Sequence, residues 1–290
     1  MTRPSLKHRL AERGIDRTLL LLVPGVVFVV ALFVYPVLYG LQLSFQPTEG
    51  GLLANYTTFF SDPYLSDTIW LTLRLAIPAA LINVLASIPI AYRMRGRFRG
   101  KRALTTILVV PIALGTVLTA EGLNQYLSPV GWFNKVLSGL GADPARLVHN
   151  YTGVLLSLII TGFPFAFLLT LSYLSGIDPT LDQAAATLGA DWRRRFRHIT
   201  LPLLAPGLAI TFCLTFVLAF SVFPSAYLVG LPQGETRVMS IAAYEAAFRD
   251  GDYPLGSAIA VIMAMVMLVV IALVLVWRST LYRGATGGKG

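Results

Sequence analysis

Apolar residues along this chain run together in six long blocks, at residues 19–45, 68–92, 103–120, 151–174, 208–231 and 254–277. A helix crossing the hydrocarbon core of a bilayer needs about 20 predominantly apolar residues. Each block comes close to or exceeds that length, so the pattern predicts an all-α membrane protein with six spans. The segments then divide into an N-terminal stretch 1–18, a six-span domain 19–277 and a tail 278–290. The first block follows a basic stretch, as a secretory signal would. Its apolar run is longer than a signal's core and lacks a small-x-small cleavage site, so it reads as a retained span.

Composition supports this reading. Of 290 residues, 56% are hydrophobic and 13% charged, and the mean hydropathy is +0.70. A soluble chain carries about a quarter charged residues. The net charge of +9 would suggest nucleic acid in a soluble protein, but its placement is a topology signal here. Arg3, Lys7, Arg9, Arg13 and Arg17 precede the first span. Arg93, Arg95, Arg97, Arg99, Lys101 and Arg102 join the second to the third. Arg193, Arg194, Arg195 and Arg197 lie between the fourth and fifth, and Arg278, Arg283 and Lys289 follow the sixth. The opposite loops hold Lys135, Arg146, Arg237 and Arg249 among acids such as Glu49, Asp67, Glu121, Glu235, Glu245 and Asp252. By the positive-inside rule both termini are expected in the cytoplasm. The run from Arg93 to Arg102 then serves orientation rather than nucleic-acid or lipid binding.

Candidate catalytic chemistry is sparse. The single cysteine, Cys213, sits in an apolar block, and His8, His149 and His198 are scattered without metal-ligand spacing. No G-x-x-x-x-G-K-[ST] phosphate loop, H-E-x-x-H or G-x-S-x-G occurs. The terminal Gly287-Gly288-Lys289-Gly290 lacks the phosphate loop's spacing and hydroxyl. The chain is not expected to be an enzyme or to hydrolyse ATP.

The connection 175–206 is too long for a plain loop. Asp178 before Pro179 is a helix start, and a helix 180–188 should stop at Gly189. Asp191 caps a second short helix, 192–200, in which Trp192, Phe196 and Ile199 share a face. Pro202 and Pro206 then mark the entry to the fifth span. Ala184, Ala185, Ala186 and Gly189 leave a surface poor in side chains that another backbone can approach closely. Gln183-Ala184-Ala185, three residues, Gly189, nine residues, Ile199, Thr200 and Leu201-Pro202 resemble the EAA signature of type I ABC importer permeases, with Gln183 in place of the usual Glu. Asp182 beside it is placed to substitute in part for the missing ion pair. The resemblance implies that Gln183, Ala184, Ala185, Gly189, Ile199, Leu201 and Pro202 form a coupling helix docked on a cytoplasmic ATPase. Asp182, Arg193 and Arg195 are further candidate contacts, although the arginines serve equally as topology charges.

The likeness extends more weakly to Tyr35-Pro36, Ser44-Phe45, Asn55-Tyr56, Arg237-Val238-Met239-Ser240 and Gly251-Asp252-Tyr253-Pro254-Leu255-Gly256. It is closest to the polyamine, opine and iron branch, with sugar or glycerol-phosphate permeases of the same fold as the competitor. The resemblance implies a type I ABC importer permease fold in a bacterial inner membrane. It also implies a second permease chain, a dimeric ATPase that binds ATP and Mg, an extracytoplasmic binding protein, and no cofactor on this chain. Polar or helix-breaking residues within spans are path candidates: Arg74, unless it only snorkels; Asn83, unless it only bonds a neighbouring helix; Glu121, with Asn124, Gln125 and Tyr126 following; and Phe223 and Tyr227 flanking Pro224. A self-contained carrier or channel is the alternative of another class, but the two halves show no convincing inverted repeat.

Overall fold

The polar side chains that cap several of the helices lie outside the apolar blocks. In the computed structural model, which describes residues 22–96 and 100–282, the elements are helices α1 (Val23–Ser44), α2 (Ala54–Ser61), α3 (Pro63–Met94), α4 (Lys101–Leu127), α5 (Trp132–Gly139), α6 (Tyr151–Ser175), α7 (Pro179–Thr187), α8 (Trp192–Phe220), α9 (Pro224–Leu228), α10 (Met239–Tyr244, extended by a wide turn Glu245–Arg249) and α11 (Tyr253–Tyr282). No strand occurs among the described residues. The N-terminal stretch 1–18, Arg97, Arg99 and the tail beyond Tyr282 lie outside them.

Six stretches, carried by α1, α3, α4, α6, α8 and α11, are long and apolar enough to cross a membrane. α3 begins at Pro63, before the expected 68, because the Asp62 carboxylate accepts the Tyr64 N–H at 2.9 Å and proline is favoured at a first helical position. Asn150 caps α6 in the same way, accepting from Gly153 N–H at 2.8 Å. α4 runs past the expected 120 to Leu127 but is broken inside by Gly115, at φ 74 and ψ 170.

The largest departure concerns the fifth span, expected at 208–231. The helix starts at Trp192 and passes through Pro202 and Pro206 without a break, so the second short helix of the connection is the first part of the span. A proline has no N–H to give to the carbonyl four residues back, and its ring crowds that carbonyl. Here the turn just before Pro202 is widened: the N–H of Leu201 reaches the Phe196 carbonyl five residues back, which absorbs the proline. Tyr35 N–H bonds Val30 O in the same way before Pro36. At its other end the span stops at Phe220, and residues 221–223 are non-helical before Pro224 opens α9.

α3, α6 and α8 form the centre, while α1, α4 and α11 keep most of their apolar surface exposed. Helices gain no hydrophobic drive against lipid, so close approach of small residues and interhelical hydrogen bonds hold them together. Ala76, Ala79, Ala80 and Ala91 of α3 are buried. A Cβ at Gly207 of α8 would overlap the Tyr173 ring of α6. Ser87 Oγ and Thr170 Oγ1 join α3 to α6 at 2.8 Å, and Asn83 Nδ2 donates to the Leu158 carbonyl at 3.3 Å.

Candidate functional site

The connection between α6 and α8 is preorganised by local chemistry. The Asp178 carboxylate accepts the Thr180 N–H at 2.9 Å, and this bond holds its carboxyl below the ordinary 3.8. At the other end Gly189 adopts φ +83, and Gly189 N–H to Ala186 O with Ala190 N–H to Ala185 O, both 3.0 Å, close a Schellman motif. Asp191 then accepts the Arg194 N–H at 3.0 Å and starts α8. Asp182 and Arg195 pair at 3.3 Å, bracing α7 against α8, so both are engaged with each other.

No residue of α7 is buried. Gln183, Ala184 and Gly189 are exposed, Leu188 is 88% exposed and Trp192 58%. Arg193 lies over the Trp192 ring at 5.5 Å. Ile199 and Leu201 face inward in part, Thr200 is buried, and Pro202 is exposed. The segment is therefore a rigid projection with apolar tips. It is anchored where Arg95 Nη2 donates to the Ile177 carbonyl at 2.8 Å and the Tyr92 and Phe196 rings meet edge to face at 5.1 Å.

A second feature lies where two helices are interrupted. A cavity of about 190 Å³ is lined by Thr116 next to the Gly115 break, by Thr161, Gly162 and Phe165 of α6, and by Thr215, Ser221, Phe223 and Ser225 around the end of α8. Thr161 is ten residues into α6, about 15 Å along it, so the cavity is well inside the membrane. Non-helical backbone at that depth is tolerated where it lines a cavity or is buried in protein. One of its freed carbonyls, Val222 O, accepts the Ser240 hydroxyl; beside it Ser157 Oγ donates to Ser225 Oγ at 2.8 Å.

The family described as the binding-protein-dependent transport system inner membrane component matches residues 80–285, well over half of the chain. The chain belongs to that family. The trehalose/maltose transport system permease protein MalF of Thermococcus litoralis is 28% identical over 279 residues, covering 91% of this chain and 92% of its own. The spermidine/putrescine transport system permease protein PotB of Haemophilus influenzae is 27% identical over 247 residues, covering 81% and 85%. The fold is shared with a bacterial alginate ABC transporter crystallised with its pentasaccharide-bound periplasmic protein, at a TM-score of 0.78 and 23% identity over 93% of this chain and 95% of that one. The protein is thus an ABC importer permease, a transport subunit rather than an enzyme, with the all-α six-span fold of that class.

The permease does not gather its five candidate path residues in one place. Phe223 lines the cavity, and Tyr227 stacks on it at 5.3 Å. Asn83 is 1% exposed, next to Gly162, with its amide given to α6. Glu121 accepts a bond from Gln125 at 3.1 Å on its own helix. Arg74 is exposed and lines a separate cleft of about 420 Å³ with Tyr64, Asp67, Trp70, Glu235 and Arg237.

The hydroxyls Thr116, Thr161, Thr215, Ser221 and Ser225 carry no mark in the sequence, because each is ordinary in or beside an apolar block; only Gly115, next to Thr116, signals a break there. The clamp at Arg237 is equally unmarked. That side chain is 7% exposed, bonds Glu245 at 2.9 Å, donates to the Tyr64 carbonyl at 3.0 Å and lies 3.9 Å over the Tyr64 ring.

Proposed function

We propose that this permease subunit imports a carbohydrate, delivered by an extracytoplasmic binding protein, and that α7 with the start of α8 seats on a separate cytoplasmic ATPase. The observation that carries the substrate class is the cavity lining. Its polar groups are hydroxyls, its larger rings are Phe165 and Phe223, and none of its lining residues is acidic. Hydroxyls and aromatic faces suit a neutral polyhydroxylated solute, whereas a polyamine brings positive charges whose burial needs carboxylates. The name of MalF agrees with this reading; PotB keeps the polyamine reading as its competitor.

Coupling is supported by the segment's exposure and double capping. A second permease chain is expected to cover part of the exposed surface of the outer helices. The arginine-rich end is taken as cytoplasmic, which places both termini there. Gln183, Ala184, Ala185 and Gly189 form the docking surface with Leu188 and Trp192, and Ile199, Leu201 and Pro202 form its root. Arg193 remains available to an ATPase carboxylate, whereas Asp182 and Arg195 act as an internal brace.

The test is reconstitution of the permease with its companion chain, ATPase and binding protein in proteoliposomes. Maltose or trehalose should stimulate ATP hydrolysis and accumulate inside, while spermidine should do neither. Spermidine-driven hydrolysis with both sugars silent would overturn the substrate class and leave the coupling assignment standing.

A further inference from the structure

A groove of about 320 Å³ runs between α3, α8 and α11, away from the cavity described above. Its walls are aliphatic and aromatic: Leu81 and Leu85 of α3, Leu208 and Phe212 of α8, and Val274 of α11. Trp277 and Arg278 are its last lining residues along α11. Arg278 is half-buried, and among the described residues no carboxylate pairs with it. Along α8 the groove extends from Ala205 to Phe212, seven residues or about 10 Å, within one leaflet at the end that also carries α7. Arg278 lies 25 residues from the start of α11, about 37 Å, which puts its charge near the surface of that leaflet.

We infer that this groove is a binding site for an anionic phospholipid, with the phosphate on Arg278 and one acyl chain along Leu85, Leu208 and Phe212. The charge distribution selects this occupant. A partner helix would need no unpaired cation at one end of a wholly apolar trough. A zwitterionic lipid brings its own positive charge to the same place, whereas an anionic head does not. A basic residue near the membrane surface attracts acidic lipids with about 1 kcal/mol, or roughly a fivefold preference. Trp277 is placed where an amphipathic ring sits at headgroup level.

The experiment uses the full chain in neutral detergent, with phosphatidylglycerol or phosphatidylcholine of matched chains as the probe. Lipid retention is read by native mass spectrometry and stabilisation by thermal unfolding. Phosphatidylglycerol should be retained about fivefold more than phosphatidylcholine and should raise the melting temperature further. Arg278→Gln should abolish that preference while leaving the lipid-free melting temperature unchanged. Ala205→Phe, which fills the groove and keeps the charge, should weaken retention of both lipids. Equal retention of the two lipids by the wild type, or a preference that survives Arg278→Gln, overturns the inference. So does displacement of bound lipid on assembly with the companion permease chain, which would make the groove a protein interface.

Discussion

Replacing Gly189 by valine isolates the backbone's part in the proposed coupling segment. A Cβ at this position meets no heavy atom within 4 Å, so the substitution creates no clash. The cost is conformational: at φ +83 an L side chain is disfavoured by about 1–2 kcal/mol, and more for a β-branched one. No residue of α7 is buried, so packing cannot hold the turn in place. That energy shifts the closed Schellman motif towards a frayed end by about 5- to 30-fold. The hydrogen bonds of Gly189 to Ala186 and of Ala190 to Ala185 open, and Leu188 loses its fixed direction. In the reconstituted transporter, Gly189→Val should lower solute imported per ATP hydrolysed several-fold, with membrane insertion and melting of the spans unchanged. Gly189→Asn should lie close to wild type, because asparagine tolerates the left-handed region. If valine and asparagine both leave import per ATP at the wild-type value, the capped geometry of α7 is not what transmits the cycle.

Four further outcomes follow from other contacts. Arg237→Gln leaves Glu245, whose side chain is 12% exposed, without its main partner and should destabilise the loop packing by about 3 kcal/mol, seen as a lowered melting temperature. Gly207→Leu drives a side chain into the Tyr173 ring and should cost about 1–3 kcal/mol, with part of the loss recovered in the double variant Gly207→Leu, Tyr173→Ala. Asn83→Leu should change stability by less than about 1 kcal/mol, since it removes one interhelical bond of ordinary strength together with an Oδ1 that has no partner. The Asp178 cap has a lowered carboxyl pKa because of its bond to Thr180. It therefore stabilises the start of α7 above the ordinary value of 3.8 and fails only as pH falls through the lower folded value. Hydrogen exchange at the Thr180 amide should be protected from neutral pH down to about 4 and lost in Asp178→Ala at every pH.

The sequence showed most clearly what depends on local chemistry. Six apolar blocks gave six spans, and Asp178, Gly189 and Asp191 each cap where their residue types predict. Asp182 and Arg195, expected as contacts of an ATPase, pair with each other. The boundaries of the fifth span were not legible, because Pro202 ends a helix by local rules and only the widened turn at Phe196–Thr200 evades them. The same widening precedes Pro36, and local rules for proline do not signal it. The cavity was illegible for a related reason: its hydroxyls come from α4, α6 and the end of α8, and only tertiary packing brings them to one place. Arg237 and Glu245 were read as loop charges. Their burial follows from the return of α10 onto α3, marked by the Met239 N–H on Thr72 Oγ1 at 3.0 Å.

The continuity of α8 has a mechanical consequence. Its 29 residues make a rod of about 43 Å, with one end beside α7 and the other at the interrupted backbone of the cavity. A tilt of only about 3° displaces the far tip by about 2 Å, comparable to the helix shifts by which packed interfaces switch. The wide turn at Phe196–Thr200, whose Phe196 meets the Tyr92 ring, lies near the end beside α7. With α7 seated on an ATPase as proposed, a lever pivoted there has a short arm towards α7 and a long one towards Ser221, so small strokes at the projection become large ones at the cavity.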